Sequence, residues 1–173
     1  MSNRLLFNKP SNQLVIDLIN FQNNTTLAAN QIDFSAPTTS LTDLGDSGKN
    51  TRVRLIGQAG SSFQGSAFVF YNRLALNLLH DSGVVGVLGN FTNQAEALAR
   101  FNLDYGLGIQ LNELVPAVLN ADGSIDFTIS ESLVYQPSSK VTVVPLSTLS
   151  SFEGWVDRFW FYTNYTLRTH VTF

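Results

Sequence analysis

The chain lacks cysteine and is poor in charge, with 10 lysines and arginines against 13 aspartates and glutamates in 173 residues. The absence of cysteine excludes disulfide bonds and metal sites built on thiolates. Charged residues make up 13% of the chain, which is about half the share in an average soluble domain. A net charge of −3 without any basic run argues against general nucleic-acid binding, because such binding needs a concentrated basic surface.

Because charge is scarce, the polar surface must be built from asparagine, glutamine, serine and threonine. Such surfaces are common in proteins that are covered by neighbouring subunits, since a buried charge without a partner is costly. The alternative is a monomer with a neutral surface. Of these two readings, the composition favours assembly.

Long apolar runs are also missing. No stretch is long enough to span a bilayer, and the N-terminal sequence MSNRLLFNKPSNQ lacks the continuous apolar core of a signal peptide. We therefore expect a cytosolic product, a class that includes anything assembled inside a cell. The length suits one domain with a proper core, or two very small ones.

Signatures of catalysis are absent as well. The two histidines, His80 and His170, are far apart in the sequence, and there is neither a hydrolase G-x-S-x-G motif nor a zinc-binding H-E-x-x-H motif. A phosphate loop ending at residues 48–50 (GKN) fails because Asp43 stands where its first glycine is required. We therefore expect no enzyme, no catalytic residue, no cofactor and no metal site.

The most informative stretch that the chain does contain is Thr51–Leu79. Its first part alternates, with Val53 and Leu55 on one face and Arg52 and Arg54 on the other, which is typical of a half-buried strand. Gly and Ser then permit a turn, and Val, Phe and Tyr favour a second strand. The predicted elements are a strand from Thr51, a corner at Gly57–Gly65, a strand at Ala67–Tyr71 and a short helix at Leu74–Leu79.

Periodicity predicts further elements on both sides of this hairpin. Residues 10–12 (PSN) are typical of a helix start, with Ser11 or Asn12 as the cap, and apolar residues follow at helical spacing up to Phe21. Thr92 or Asn93 is predicted to cap a later helix. The remaining predictions are a helix at Gln94–Leu103, strands at Ile32–Ser35, Ser124–Ser130 and Lys140–Val144, and an apolar connection through Gly83, Gly86 and Gly89 that packs inward.

Two segments are predicted to differ from this pattern. Thr38–Asn50 is polar and without a usable period, which predicts an exposed loop, either a mobile excursion or an interaction arm. Trp155–Phe173 is rich in aromatic residues and threonine, which predicts one or two closing strands. In such a strand Trp160 and Tyr162 share a face that fills a core, contacts a partner or stacks on a carbohydrate. A core role is favoured, although a terminal strand also invites pairing with another chain.

Together these elements predict a single α+β domain over residues 1–173. An antiparallel sheet is centred on the hairpin at about residues 51–71 and includes the C-terminal strands. About three short helices cover one face of this sheet.

Four stretches share features with one known class of protein. They are the leading apolar helix, the hairpin GQAGSSFQGSAFVFYNRL, the A-x-A-R-F-N-x-x-Y-G-L run and the strand D-G-S-I-D-F-T-I-S. Taken together, and over roughly residues 10–145, they resemble small virion structural proteins of large tailed bacteriophages. The resemblance rests on architectural features and supplies no catalytic residues. It implies a non-enzymatic assembly component of the tail, baseplate, neck or head surface, present in many copies.

We therefore expect a structural component of a tailed-phage virion that is assembled in the host cytoplasm. It buries surface against copies of itself and other virion proteins, with no role for nucleic acid, a membrane or a small-molecule substrate. The predicted interface residues are Arg52, Arg54, Trp160, Tyr162 and Tyr165. The alternative is a carbohydrate-binding or host-recognition module that uses the C-terminal aromatic residues.

Overall fold

The computed structural model describes residues 7–61, 63–79 and 82–146. Within them, six strands form two three-stranded sheets, and three α-helices and three 3₁₀ turns connect them. The helices are α1 (Ser11–Asn23), α2 (Leu41–Leu44) and α3 (Gln94–Tyr105). The strands are β1 (Ile32–Phe34), β2 (Thr51–Gly57), β3 (Ser66–Tyr71), β4 (Val84–Leu88), β5 (Ile125–Thr128) and β6 (Lys140–Leu146). The 3₁₀ turns are Ala29–Gln31, Leu76–Leu79 and Leu111–Glu113.

The first sheet is the predicted hairpin with β1 added, in the order β1-β2-β3. All its pairs are antiparallel, and the hairpin register places Thr51 opposite Tyr71 and Arg54 opposite Phe68. Val53 and Leu55 are buried on its inner face, as the alternation predicts. The short helix predicted at Leu74–Leu79 is a 3₁₀ turn at Leu76–Leu79.

The second sheet has the order β4-β6-β5, in which β6 pairs parallel with β4 and antiparallel with β5. The strands predicted near residues 124–130 and 140–144 therefore belong to this sheet and do not extend the hairpin. The connection predicted to pack inward is strand β4, and Val85 and Val87 are indeed buried. The sequence did not predict this strand because the three glycines of the connection interrupt the strand pattern. Here a Cβ at Gly86 would collide with Leu146 of the neighbouring strand.

Helices α1 and α3 cover the core and begin differently. At α3 the prediction is confirmed, because the Asn93 side chain accepts a hydrogen bond from the Glu96 N–H at 3.0 Å. The Glu96 carboxylate in turn accepts from the Thr92 N–H at 2.8 Å, and this bond lowers the pKa of Glu96. At α1 the predicted cap position is wrong, because Pro10 occupies it without a side-chain bond. The Ser11 hydroxyl donates to the Glu113 carboxylate, and the Asn12 side chain accepts from the Gln13 N–H at 2.9 Å in the first turn.

One continuous core joins the two sheets and both longer helices. Its largest fully buried side chains include Phe101 on α3 and Phe127 on β5, with ring centroids 5.6 Å apart. Tyr105 lies against Phe101 with a centroid distance of 5.1 Å. The predicted α+β class is therefore confirmed, and the described elements share a single core.

The segment predicted as the loop Thr38–Asn50 contains α2 and is attached to the first sheet at both ends. Thr38 forms a two-way backbone bridge with Arg52, with N···O distances of 2.9 and 3.0 Å. Asn50 donates its N–H to the Asn72 side chain at 3.0 Å. Between these attachments most side chains are exposed, with Leu44 buried.

Candidate interaction surface

The outer face of the first sheet carries exposed aromatic side chains next to arginines. Because directly opposed residues share a face, the register groups six residues there, which we call the outer face. These residues are Arg52, Arg54, Ile56, Ser66, Phe68 and Phe70. Phe68 is 53% exposed and Phe70 is 42% exposed. The predicted interface residues Arg52 and Arg54 therefore lie beside two phenylalanines.

Arg52 is held in place by two partners. Its guanidinium forms an ion pair with the Asp43 carboxylate of α2 at 2.6 Å. The same group lies over the Phe68 ring, 4.5 Å from the centroid. A guanidinium stacked on an exposed ring is weakly attractive, so Arg52 orients Phe68 and links the outer face to α2.

Arg54 has no acidic partner among the described residues. Its guanidinium donates a hydrogen bond to the Ser66 hydroxyl at 2.8 Å. Within the part of the chain that the structure describes, ion pairs occur at Lys9, Arg52 and Lys140 and not at Arg54. Arg54 is also exposed, so its positive charge lies at the surface of the outer face.

Among the residues that the structure describes, strand β3 forms an open edge of the first sheet. Arg52 exchanges backbone bonds with Thr38, and the Arg54 carbonyl accepts from the Ser35 N–H at 2.9 Å. The backbone groups of these two arginines therefore point away from β3. The other set of alternating β2 residues bonds to β3, at Val69 and at every second residue from it. By the same alternation, Ser66, Phe68 and Phe70 direct their N–H and C=O groups outward. Residues 7–61, 63–79 and 82–146 supply no backbone partner for these groups.

The edge of β4 is covered, in contrast to that of β3. Side chains of α3 reach its outward backbone groups: Asp104 accepts from the Leu88 N–H at 2.7 Å, and Arg100 donates to the Leu88 carbonyl at 3.1 Å. The Tyr105 hydroxyl donates to the Gly86 carbonyl at 3.0 Å. Helix α3 thus occupies the positions that an additional strand would need.

The two remaining edges are paired or short. Beside β5, the Val115 N–H donates to the Thr128 carbonyl at 2.9 Å and the Ser130 N–H donates to the Glu113 carbonyl at 2.8 Å. Strand β1 is three residues long, and a short edge offers little to a pairing strand. Among the described strands, β3 therefore presents the longest open edge.

A buried polar cluster lies between the two sheets and has a structural role. Arg73, 4% exposed, donates to the Thr51 hydroxyl at 2.9 Å and to the Ser132 carbonyl at 3.0 Å. Burial lowers the pKa of Arg73. The Ser132 hydroxyl is 3.2 Å from the Ser11 hydroxyl, which in turn bonds to Glu113. These bonds satisfy buried groups and tie β2, β3 and α1 to the segment after β5.

The described residues provide little for chemistry on a ligand. None of them form a group of three or more metal-ligating side chains. An apolar groove of about 170 Å³ lies between α1 and the segment after β3. Tyr71 lines it, and burial raises the pKa of Tyr71 to about 12, so its hydroxyl stays protonated at neutral pH. Its lining residues are Phe7, Leu14, Val15, Leu18, Tyr71, Asn72, Leu74 and Val134.

The predicted interface set is therefore only partly described. Arg52 and Arg54 lie together on the outer face, whereas Trp160, Tyr162 and Tyr165 lie outside the described residues. The sequence reasoning missed Phe68 and Phe70. A signal for them exists, because a hairpin centred on the Gly57–Gly65 corner pairs each arginine with a phenylalanine.

The domain is thus an α+β unit with one antiparallel and one mixed three-stranded sheet. The chain belongs to DUF7941, a family of unknown function whose family model matches residues 4–151. The match ends before the C-terminal aromatic residues. No curated protein and no solved structure matches the chain. No described helix has the length and apolarity needed to cross a membrane.

Proposed function

We propose that this protein is a structural component of a virion, of the tailed-phage type, and that it acts by protein–protein assembly and not by catalysis. The observation that carries the proposal is the open edge of β3 with Phe68 and Phe70 exposed beside it. The sequence resemblance stated above supports the virion context.

An uncovered edge strand with apolar side chains is a hazard for a protein that acts alone. Natural proteins blunt such edges with charges, proline, bulges or a covering helix. Among the described residues, α3 covers the edge of β4 and no element covers the edge of β3. Exposed apolar patches rimmed by polar residues mark interaction sites. The open edge therefore supports the proposal that this surface becomes buried when the protein joins an assembly.

The composition supports the same proposal. Charged residues make up 13% of the chain, and the β3 sequence SAFVFY contains none. The core of a protein–protein interface is depleted in charge and enriched in aromatic residues and arginine. The outer face has this composition, with Arg52 and Arg54 flanking the two phenylalanines.

Particle proteomics tests the virion context. Phage particles produced from the genome that encodes the chain are purified through a density gradient and analysed by quantitative mass spectrometry. We expect its peptides at a multi-copy ratio to the major structural proteins. Recovery of the protein only from the soluble lysate, and not from particles, contradicts the virion proposal.

Solution association tests the surface. In sedimentation velocity we expect the full chain to associate with increasing concentration, and Phe68→Lys to weaken that association. Leu103→Lys is the matched control, because Leu103 is also an exposed apolar residue, 79% accessible, but lies on α3. Equal weakening by both variants contradicts a specific role for the outer face.

A further inference from the structure

We propose that two copies of the chain pair through β3, antiparallel and about a two-fold axis at Val69. The two β1-β2-β3 sheets then form one continuous six-stranded sheet. This inference rests on the proposed assembly function and names its partner as a second copy of the chain.

The backbone of β3 suits an extended strand as its partner. Ser66, Phe68 and Phe70 direct both N–H and C=O groups outward, on every second residue. An extended segment presents backbone acceptors and donors with the same alternation. A helix satisfies such an edge only where its side chains reach the backbone groups, as α3 does at Leu88 and Gly86, and any group that it buries without a partner is costly.

The absence of charge on β3 makes a second copy a suitable partner. The strand sequence SAFVFY contains no lysine, arginine, aspartate, glutamate or proline, so two copies meet without repulsion and without a missing donor. The nearest arginines lie on β2. In the paired sheet, three strand spacings of about 4.8 Å separate the β2 strands of the two copies, which places them about 14 Å apart. This exceeds the Debye length of about 8 Å at physiological ionic strength.

The aromatic residues select the register. With the axis at Val69, Phe68 of each copy faces Phe70 of the other, so both phenylalanines are in aromatic cross-strand pairs. With the axis at Phe68, each Phe70 faces Ser66 and one aromatic pair is lost. An isologous interface of the first kind closes as a dimer and does not grow into a filament.

A disulfide test reads this register directly, because the chain has no cysteine of its own. The backbone of Val69 bonds to β2, so Val69 and its counterpart form a non-hydrogen-bonded pair with Cα atoms about 4.5 Å apart, which suits a disulfide. Ala67→Cys is the control on the same strand and face. In this register the two positions 67, one in each copy of the chain, are offset by four residues or about 13 Å. A disulfide cannot bridge that distance.

We expect mild oxidation of full-length Val69→Cys to give a covalent dimer at least tenfold faster than Ala67→Cys, measured on non-reducing gels. Adding Phe68→Lys to Val69→Cys should slow the reaction by a similar factor, with circular dichroism confirming that the fold is intact. A wild-type oligomer in which Val69→Cys and Ala67→Cys react equally overturns β3 pairing and leaves the assembly function standing.

Two other possible partners of the β3 edge would give different experimental results. If the chain is monomeric at all concentrations while the Phe68 and Phe70 amides resist hydrogen exchange, another part of the same chain covers the edge and the proposal is overturned. If the chain is monomeric, its β3 amides exchange freely and it is still recovered in particles, the partner is a different protein. That result also overturns pairing between copies but not the virion role.

Discussion

The two sheets of this protein have the same number of strands, but their edge strands β4 and β3 differ in how far other residues cover them. In the β4-β6-β5 sheet, α3 supplies Asp104, Arg100 and Tyr105 to the backbone of β4. In the β1-β2-β3 sheet, the described residues leave β3 without such cover. Both sheets contribute to one core, and among the described residues they differ in that a helix covers the edge of one and nothing covers the edge of the other.

The side chains follow the same division. Phe127 on β5 is fully buried and Phe68 on β3 is more than half exposed. Arg73 is buried against Ser132, and Arg54 is exposed beside Ser66. The same residue type therefore serves the core in one place and the surface in another. These pairs provide matched variants for testing the division.

The largest effect is expected from the buried phenylalanine. Phe127→Ala removes a ring packed 5.6 Å from Phe101 and should lower the free energy of unfolding by about 3–5 kcal/mol. Phe68→Ala loses only an exposed ring and its contact with Arg52, which costs below about 1 kcal/mol. Urea denaturation of both variants, at a concentration where the wild type is monomeric, measures the difference. Equal losses would contradict the division between the sheets.

The arginine pair should show the next largest effect. Arg73→Met leaves the Ser132 carbonyl without its buried donor and removes the bond to Thr51, and we expect a loss of about 2–3 kcal/mol. Arg54→Met, on the exposed face, should change stability by less than about 0.5 kcal/mol. Chemical denaturation monitored by circular dichroism provides the values. A loss below 1 kcal/mol for Arg73→Met would mean that the polar cluster does not join the two sheets.

The local elements could largely be predicted from the sequence. The hairpin and α3 follow from alternation, turn residues and the Asn93 cap, and each depends on neighbours in the chain. The α1 cap was mispredicted because Ser11 bonds to Glu113, 102 residues away. No local pattern contains that contact.

The arrangement of strands in two sheets could not be predicted, because it depends on long-range pairing. Strand β4 pairs with β6 in parallel, and a parallel pair leaves no turn signal between its strands. For the candidate surface, alternation found Arg52 and Arg54 but not Phe68 and Phe70. Both faces of SAFVFY are apolar, so hydrophobicity alone does not reveal which face is exposed. The hairpin register decides it.

A smaller effect is expected when the covered edge is opened. Asp104→Ala removes the acceptor for the Leu88 N–H and should cost about 1 kcal/mol. The Leu88 amide should then exchange with solvent several-fold faster in hydrogen-exchange mass spectrometry. Leu103→Ala, the adjacent exposed residue of α3, should leave that amide unchanged. Equal exchange in both variants would show that α3 does not protect β4 through this side chain.

The smallest effect concerns pH and the second sheet. The Asp126 carboxylate is 2.8 Å from the Lys140 ammonium and accepts from the Thr142 hydroxyl at 2.6 Å. These partners lower the pKa of Asp126 below its ordinary value of 3.8. A lowered folded-state pKa stabilises the protein above that ordinary value, and the contribution is lost as the pH falls through the folded-state pKa.

Because both side chains of this ion pair are partly solvated, solvent screening limits its contribution to about 0.2–1 kcal/mol. Asp126→Asn should therefore flatten the fall in stability as the pH drops below about 4. Urea denaturation across that range measures the slope, and 1 M salt should reduce the difference from the wild type. Lys140→Gln keeps the Thr142 bond and should flatten the slope less. If Asp126→Asn and the wild type have parallel profiles, this cross-strand pair does not contribute to the stability of the covered sheet.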